Sequence, residues 1–295
     1  MFDVDYSEPR SLSEVISLLT APDAGAVLLA GGTDLIVDLR HGKLSPRRVI
    51  SLWGVPDLRG VRRQDSGAFS IGALTTASEI AEFFAACPEA VGLSEAARLL
   101  GSRQIQNVAT IGGNICKASP GADLVPPLLC LGARIALSGP LGSREAKIDG
   151  FLTGPGRSAR DDAEILTSIL LPPQHAGSAT AFLKIMRRRA EDLSIVSACA
   201  LVELDGSGER ILRCRIALGA VAPFPFLSLK AEEILTGSRL STQLLHRAAA
   251  AARDEAKPIS DIRASMEYRR GMIEVLVCRA VLIAVERARG GVENQ

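Results

Sequence analysis

The sequence predicts an α+β protein, and three features of the 295-residue chain lead to this prediction. Short apolar runs typical of strands alternate with short helical patterns up to residue 171, as in α/β or α+β units. The proline pair Pro172-Pro173, followed by "QHAGSA", then interrupts this alternation. Beyond it lie a strand–turn–strand pattern and two longer helical patterns, so a second unit begins near this point.

The N-terminal segment leads to the first of two glycine pairs. Residues 11–14, "SLSE", have the spacing of a capping box and predict the start of a helix. The run "AVLLA" (26–30) predicts a short buried strand, and Gly31-Gly32 a turn. We expect "TDLIVDLRHG" (33–42) to form a short helix that ends at its glycine.

Further strand and helix patterns lead to the second glycine pair. Strands are predicted in "PRRVISL" (46–52) and "AFSIGALTT" (68–76), and a helix in "ASEIAEFFAAC" (77–87). An amphipathic helix is predicted from 91 to 108. It leads into a second predicted loop, "NVATIGGNICKASPGAD" (107–123), which contains the second glycine pair, Gly112-Gly113.

The rest of the chain predicts one more helix–strand pair, a further strand and then the second unit. Residues 123–138 predict a helix followed by a strand, and 164–172 another strand. The turn "DGSG" (205–208) separates two apolar runs that predict an antiparallel hairpin. Helices are predicted over 241–256 and 265–291.

Composition excludes several classes of function. Lys plus Arg number 34 against 33 for Asp plus Glu, so no charge excess indicates a nucleic acid or an anionic membrane as partner. The segment "VLVCRAVLIAV" (275–285) contains an arginine and is too short to span a bilayer. The N-terminus lacks the basic-then-apolar pattern of a secretory signal. We therefore expect a cytoplasmic protein.

Cysteine and histidine placement predicts no metal site in this chain. None of the six cysteines lies in a C-x-x-C pair, and the three histidines are dispersed. If the protein carries out redox chemistry, a bound organic cofactor must supply it.

The two glycine pairs are candidate anion sites. Glycine lets another atom approach the backbone closely, and successive amide groups in such a turn can form a nest for phosphate. Thr33, Thr110 and Asn114 add polar side chains beside the pairs. Neither pair belongs to a P-loop or to a G-x-G-x-x-G fingerprint. The alternative is that each pair is only a tight turn, and the residues themselves leave both interpretations open.

An ordered series of motifs over nearly the whole chain resembles one family, the FAD-binding medium subunits of molybdenum hydroxylases such as carbon monoxide and xanthine dehydrogenases. The motifs are "AGGTDL" (30–35), "TIGGNI" (110–115), "SPGADLVPPLLCLGA" (119–133), "FLTG" (151–154), "EILTSILLP" (164–172), "FLKIMRRRAEDLSIVSACALV" (182–202), "RIALGAVAP" (215–223) and "DIRASMEYRRGMIEVLVCRA" (261–280).

The resemblance implies a fold, a cofactor and partners. The fold is a two-lobed FAD-binding domain of the vanillyl-alcohol-oxidase (PCMH) type over residues 1–173, with lobes at about 1–55 and 56–173. A C-terminal α+β domain of the CO dehydrogenase flavoprotein type follows at 178–290. The implied partners are a small subunit with two [2Fe–2S] clusters and a large molybdopterin subunit, assembled as a dimer of heterotrimers. This chain would carry FAD and pass electrons to an external acceptor.

The family's FAD contacts can be carried over by motif. The first segment comprises Leu28, Leu29, Ala30, Gly31, Gly32, Thr33, Asp34 and Leu35, and the second comprises Thr110, Ile111, Gly112, Gly113 and Asn114. Asp123 matches an acidic residue that binds ribose; its alternative role is a helix N-cap. Lys184 matches a lysine near the flavin pyrimidine, where a cation would stabilise anionic reduced flavin; alternatively it is a solvated strand lysine. Leu166 matches a backbone contact to FAD.

Two positions depart from the family pattern and leave the electron acceptor open. Leu193 stands where some relatives place a tyrosine or tryptophan against the flavin. Leu100, expected on the helix before the second segment, stands where some carry phenylalanine. An aliphatic wall excludes water but lacks an aromatic contact. The basic run Arg187-Arg188-Arg189 is either a solvated surface or a subunit interface.

Two other functions compete with this interpretation. A self-contained flavin oxidase on the same scaffold would need a residue for covalent FAD attachment, and His41 is the nearby candidate. A non-catalytic assembly module with a degenerate nucleotide pocket is the other alternative. The joint presence of Thr33, Thr110, Asn114, Asp123 and Lys184 argues against such decay.

Overall fold

A computed structural model describes residues 4–22, 25–188 and 192–293, with side chains described up to residue 290. The described residues form sheets of three, five and four strands and a two-stranded ribbon. Helices pack against these sheets around separate apolar cores. The predicted α+β class is therefore confirmed.

The N-terminal part of the chain is a small parallel sheet with two helices. Its elements are β1 Asp5–Ser7, α1 Leu12–Leu19, β2 Ala26–Leu29, α2 Leu35–Arg40 and β3 Arg48–Ser51. The sheet order is β1-β3-β2, with both pairings parallel. Ser11 caps α1 by accepting from the Glu14 amide at 3.3 Å. The Glu14 carboxylate accepts from the Arg10 amide. The buried side chains of Val15 and Ile50 lie at the centre of this core.

The middle part of the chain is a five-stranded antiparallel sheet with five helices on it. The elements are β4 Val61–Arg63, β5 Phe69–Gly72, α3 Ala77–Phe83, α4 Val91–Arg98, α5 Arg103–Gln106, α6 Ile111–Lys117, α7 Val125–Leu131, β6 Arg134–Gly139, β7 Gly142–Lys147, β8 Leu152–Gly154, β9 Arg157–Ser158 and β10 Ile165–Leu171. The sheet order is β4-β5-β10-β6-β7, and β8 and β9 form the separate ribbon. Short 3₁₀ turns stand at Pro56–Leu58 and Phe84–Ala86.

One predicted helix was wrong. The single helix expected from 91 to 108 is two helices, α4 and α5, because Gly101 between them has a φ of +58°. That left-handed conformation ends a helix and suits glycine. Leu100, expected on the helix, therefore lies in the turn after α4.

The C-terminal part of the chain is an antiparallel sheet with three helices. Its elements are β11 Ser178–Ile185, β12 Val196–Leu204, β13 Ile211–Gly219, β14 Phe226–Leu227, α8 Leu229–Leu235, α9 Thr242–Glu255 and α10 Met266–Glu293. The predicted hairpin is confirmed as β12 and β13, with Val202 opposite Cys214. None of the helices in the described residues is long and apolar enough to cross a membrane.

The C-terminal sheet is joined to the middle part through its edge strand β11. The amide of Gly92 on α4 donates to the Thr180 hydroxyl at 2.8 Å. The Glu95 carboxylate accepts from the Phe182 amide at 2.8 Å and pairs with Arg287 of α10 at 2.5 Å. Helix α4 thus covers the edge of the sheet at β11. Because α4 precedes the second glycine pair in the chain, these bonds fix that part of the chain against the C-terminal unit.

Candidate functional site

The first glycine pair forms a turn between β2 and α2 that fits tightly against another part of the chain. A Cβ atom added to Gly31 would lie 1.9 Å from the carbonyl oxygen of Val108, so this contact requires glycine. Gly32 has a φ of +74°, the left-handed region that also favours glycine. Trp53 supports the turn, because its indole nitrogen donates to the Ala30 carbonyl at 2.7 Å.

This turn offers backbone donors that the fold does not use. Within the described part of the chain, the amide groups of residues 31–35 have no hydrogen-bond acceptor. The ladder of α2 begins only at Ile36, whose amide donates to the Gly32 carbonyl at 3.0 Å. Successive free amides in a glycine turn form an anion nest, and phosphate oxygens are suitable acceptors for them.

The second glycine pair differs from its prediction. It was expected in a loop, but Gly112 and Gly113 lie in the first turn of α6, which Thr110 caps. The Gly112 amide donates to the Ala73 carbonyl at 2.9 Å, and the Gly113 amide to the Thr110 hydroxyl at 3.1 Å. The Asn114 amide donates to the Thr110 carbonyl at 2.9 Å. These donors are therefore engaged within the protein, and the unpartnered ones belong to the first turn.

The second pair instead allows close packing. A Cβ atom on Gly112 would lie 2.8 Å from Ala73, and one on Gly113 would lie 3.9 Å from the Cβ of Ala30. Since Ala30 precedes the first turn and Gly31 touches Val108, the two glycine segments lie side by side. The two segments, 81 residues apart in sequence, therefore form one candidate site.

A line of contacts runs from this site toward the C-terminal unit. The Asn114 side-chain oxygen accepts from the Leu124 amide at 3.3 Å, next to Asp123. The Asp123 carboxylate lies 2.7 Å from the Lys184 ammonium and accepts from the Ser194 hydroxyl at 2.5 Å. The same ammonium donates to the Leu99 carbonyl at 3.1 Å.

Asp123 and Lys184 form a buried ion pair that bridges the two units. Their side chains are 6% and 1% exposed, so Lys184 is not the solvated strand lysine of the alternative interpretation. Burial raises the pKa of the Asp123 carboxyl, while Lys184 and Ser194 oppose that rise. Each side chain neutralises the charge of the other, so removal of either residue would leave an uncompensated buried charge.

The two remaining carried-over residues lie beside this line. Leu100 is 9% exposed and directly follows Leu99, the carbonyl partner of Lys184. Leu166 is buried on β10 at a break in the strand register. The carbonyl oxygen of its neighbour Thr167 accepts from the amide of Ala73, and Ala73 in turn contacts Gly112. Two backbone hydrogen bonds, from Ala73 to Thr167 and from Gly112 to Ala73, thus link the strand of Leu166 to the second glycine segment.

Several residues at the site were not predicted. Trp53 supports the first turn, Ser194 holds Asp123, and Lys117 lies 2.5 Å from Asp38 of α2. Lys117 follows Asn114 by one helical turn, a spacing that could have indicated it. Ser194 carries no local signal. In the basic run, Arg188 lies 3.8 Å from Asp192, and Arg189 lies outside the described residues.

The first glycine turn has the chemistry to bind a diphosphate group. It has free amides suited to a diphosphate, and the contact of Gly31 with Val108 keeps this turn beside the second glycine segment. Family models match accordingly. The model "FAD binding domain in molybdopterin dehydrogenase" matches residues 2–174, and "CO dehydrogenase flavoprotein C-terminal domain" matches 181–284. The chain belongs to the family of FAD-binding subunits of molybdopterin dehydrogenases. Family membership confirms the recognition made from the motifs.

Similar proteins span the full length of the chain. A putative xanthine dehydrogenase FAD-binding subunit of Escherichia coli is 34% identical, with 98% of this chain and 99% of the relative covered. The carbon monoxide dehydrogenase medium chain of Afipia carboxidovorans is 33% identical over 97% and 98%. The structure of carbon monoxide dehydrogenase from Hydrogenophaga pseudoflava superimposes with a TM-score of 0.92 at 30% identity, covering 96% and 98%.

Proposed function

We propose that this chain is the FAD-carrying electron-transfer subunit of a molybdenum hydroxylase with three kinds of subunit. The contact between the two glycine segments is the observation that carries this proposal. It places a turn with free amides beside helix α6. The chain also belongs to an FAD-binding family. The enzyme class is oxidoreductase, as in the dehydrogenase relatives.

The first turn would hold the diphosphate of FAD. The amides of residues 31–35 would donate to the phosphoryl oxygens, with the Thr33 hydroxyl as a further donor. The Asn114 side-chain nitrogen would donate from α6, since its oxygen is engaged by the Leu124 amide. Leu28, Leu29 and Leu35 would supply the apolar walls of this end of the site.

The buried ion pair would lie at the other end of the cofactor. Lys184 would stabilise negative charge on the reduced ring system. Asp123 would hold the ammonium in place and, as the motif predicts, would also accept from a ribose hydroxyl. Leu100 and Leu166 would exclude water from the cofactor without aromatic stacking. Bound FAD would supply an electron carrier that exchanges one or two electrons; the residues bind it, orient it and set its surrounding charge.

The partners and organisation follow the same proposal. The relatives named as medium chains or FAD-binding subunits support a small [2Fe–2S] subunit as electron donor and a large molybdopterin subunit as the site of substrate oxidation. We further propose a dimer of heterotrimers located in the cytoplasm. The proposed domains are 1–173, with lobes at about 1–55 and 56–173, and 178–290; an apolar core drawn only from residues 179–288 supports the C-terminal domain.

The competing functions have less support. A self-contained oxidase would attach FAD covalently, but His41 is exposed at the end of α2, where a basic residue suits the helix dipole. An assembly module with a degenerate nucleotide pocket would not need unpartnered amides at the first glycine turn.

The test uses the purified chain alone and together with co-expressed partner subunits. We expect one FAD per chain, released on acid denaturation, and substrate oxidation only in the complete complex. An isolated chain that ignores added FAD in a fluorescence titration would contradict the proposal. Flavin that stays with the denatured chain would favour the self-contained oxidase.

A further inference from the structure

Lys117 joins the two glycine segments by charge. It lies in the last turn of α6, and its ammonium is 2.5 Å from the Asp38 carboxylate and 4.0 Å from that of Asp34. Both carboxylates belong to the segment that starts at the first turn, and Asp34 contributes one of its free amides. Lys117 is not among the FAD contacts that the motifs predict.

The charges around the first turn do not favour a diphosphate unless a cation compensates them. Asp34 and Asp38 would repel phosphoryl oxygens bound at residues 31–35. Lys43 reaches Asp38 at 3.6 Å from an exposed position, whereas Lys117 also approaches Asp34. The hydrogen bond from Lys117 lowers the pKa of Asp38, so the Asp38 carboxylate keeps its negative charge at neutral pH.

We propose that Lys117 is a further FAD-binding residue, whose ammonium leaves Asp38 to contact the diphosphate. This inference rests on the proposed function. The Lys117 side chain is 39% exposed, and four flexible methylene groups let its ammonium move without a backbone change. Asp38 therefore competes with the cofactor for Lys117. Affinity for FAD is set by the balance between this ion pair and the new charge-assisted contact.

The experiment is a titration of full-length apoprotein with FAD, followed by flavin fluorescence, for K117M, D38N and the double variant. We expect K117M to bind FAD about tenfold more weakly and with a smaller dependence on salt. D38N should bind several-fold more tightly, because it removes both the repulsion and the competitor. In the K117M background the gain in affinity from D38N should be smaller, because only the removal of the Asp38 repulsion then contributes to it.

Two further variants complete the test. K43M removes the other cation at Asp38 and should leave FAD affinity within about twofold. K117R retains the charge and should bind nearly as wild type. If Lys117 only ties the two helices together, both K117M and D38N would weaken binding, and the proposal would be overturned. Equal gains from D38N in both backgrounds would overturn it too, while the proposed function would stand. Absence of FAD binding by the wild-type chain would overturn both.

Discussion

Replacement of Gly31 by alanine should abolish FAD retention. The added Cβ would lie 1.9 Å from the Val108 carbonyl oxygen, whereas an ordinary contact begins at 3.4 Å. The two glycine segments must therefore separate by about 1.5 Å, which exceeds the tolerance of a hydrogen bond. Overpacking of this kind costs about 1–3 kcal/mol in stability.

The loss of affinity can be worked out from the donors. A charge-assisted hydrogen bond contributes about 1.5–3 kcal/mol, so the loss of the Asn114 side-chain contact together with one amide contact of the first turn costs about 3–6 kcal/mol. That corresponds to about a hundredfold to ten-thousandfold weaker FAD binding. The assay is a fluorescence titration of the apoprotein, with urea unfolding as the check on folding. Gly206 is the matched control, because a Cβ there meets nothing within 4 Å. A folded Gly31→Ala protein with wild-type FAD affinity would refute the reasoning.

Two further predictions concern charge. Lys184→Met leaves the Asp123 carboxylate buried without its counter-ion and should lower the free energy of unfolding by about 3–5 kcal/mol in urea titrations. Adding the Asp123→Asn change should recover part of this loss. Equal stability of the single variant and the wild type would contradict the account. The hydrogen bond from Arg144 lowers the pKa of Glu164, so this carboxylate stabilises the fold above its unfolded pKa of about 4.3 and loses that contribution as pH falls through its folded pKa. Glu164→Gln should therefore reduce stability at neutral pH and flatten its fall in acid, and an unchanged acid profile would show that the pair contributes nothing.

Local sequence patterns were sufficient for much of the fold. The "DGSG" turn between two apolar runs predicted β12 and β13, and the glycine pair after "AVLL" predicted the strand–turn–helix of β2 and α2. These features depend on turn chemistry and periodicity within a few residues. Strand β11 was not placed in the predicted architecture, because its small residues, "SATAFLKI", give no clear alternation.

The remaining features depend on contacts between distant parts of the chain. The amides of the second glycine segment are engaged by Ala73 and Thr110, and the Ala73 contact comes from the end of β5. Asp123 and Lys184 are 61 residues apart, so their ion pair emerges only when β11 packs beside the helix layer. Motif resemblance named both residues but gave no indication that each is the partner of the other.

A crystal structure of the chain with bound FAD tests the central claim most directly. The account predicts diphosphate oxygens about 2.7–3.2 Å from the amide nitrogens of residues 31–35, with α6 beside them. It also predicts that the rest of the cofactor extends toward Lys184. A diphosphate bound elsewhere, with the amides of the first turn facing water, would contradict the account.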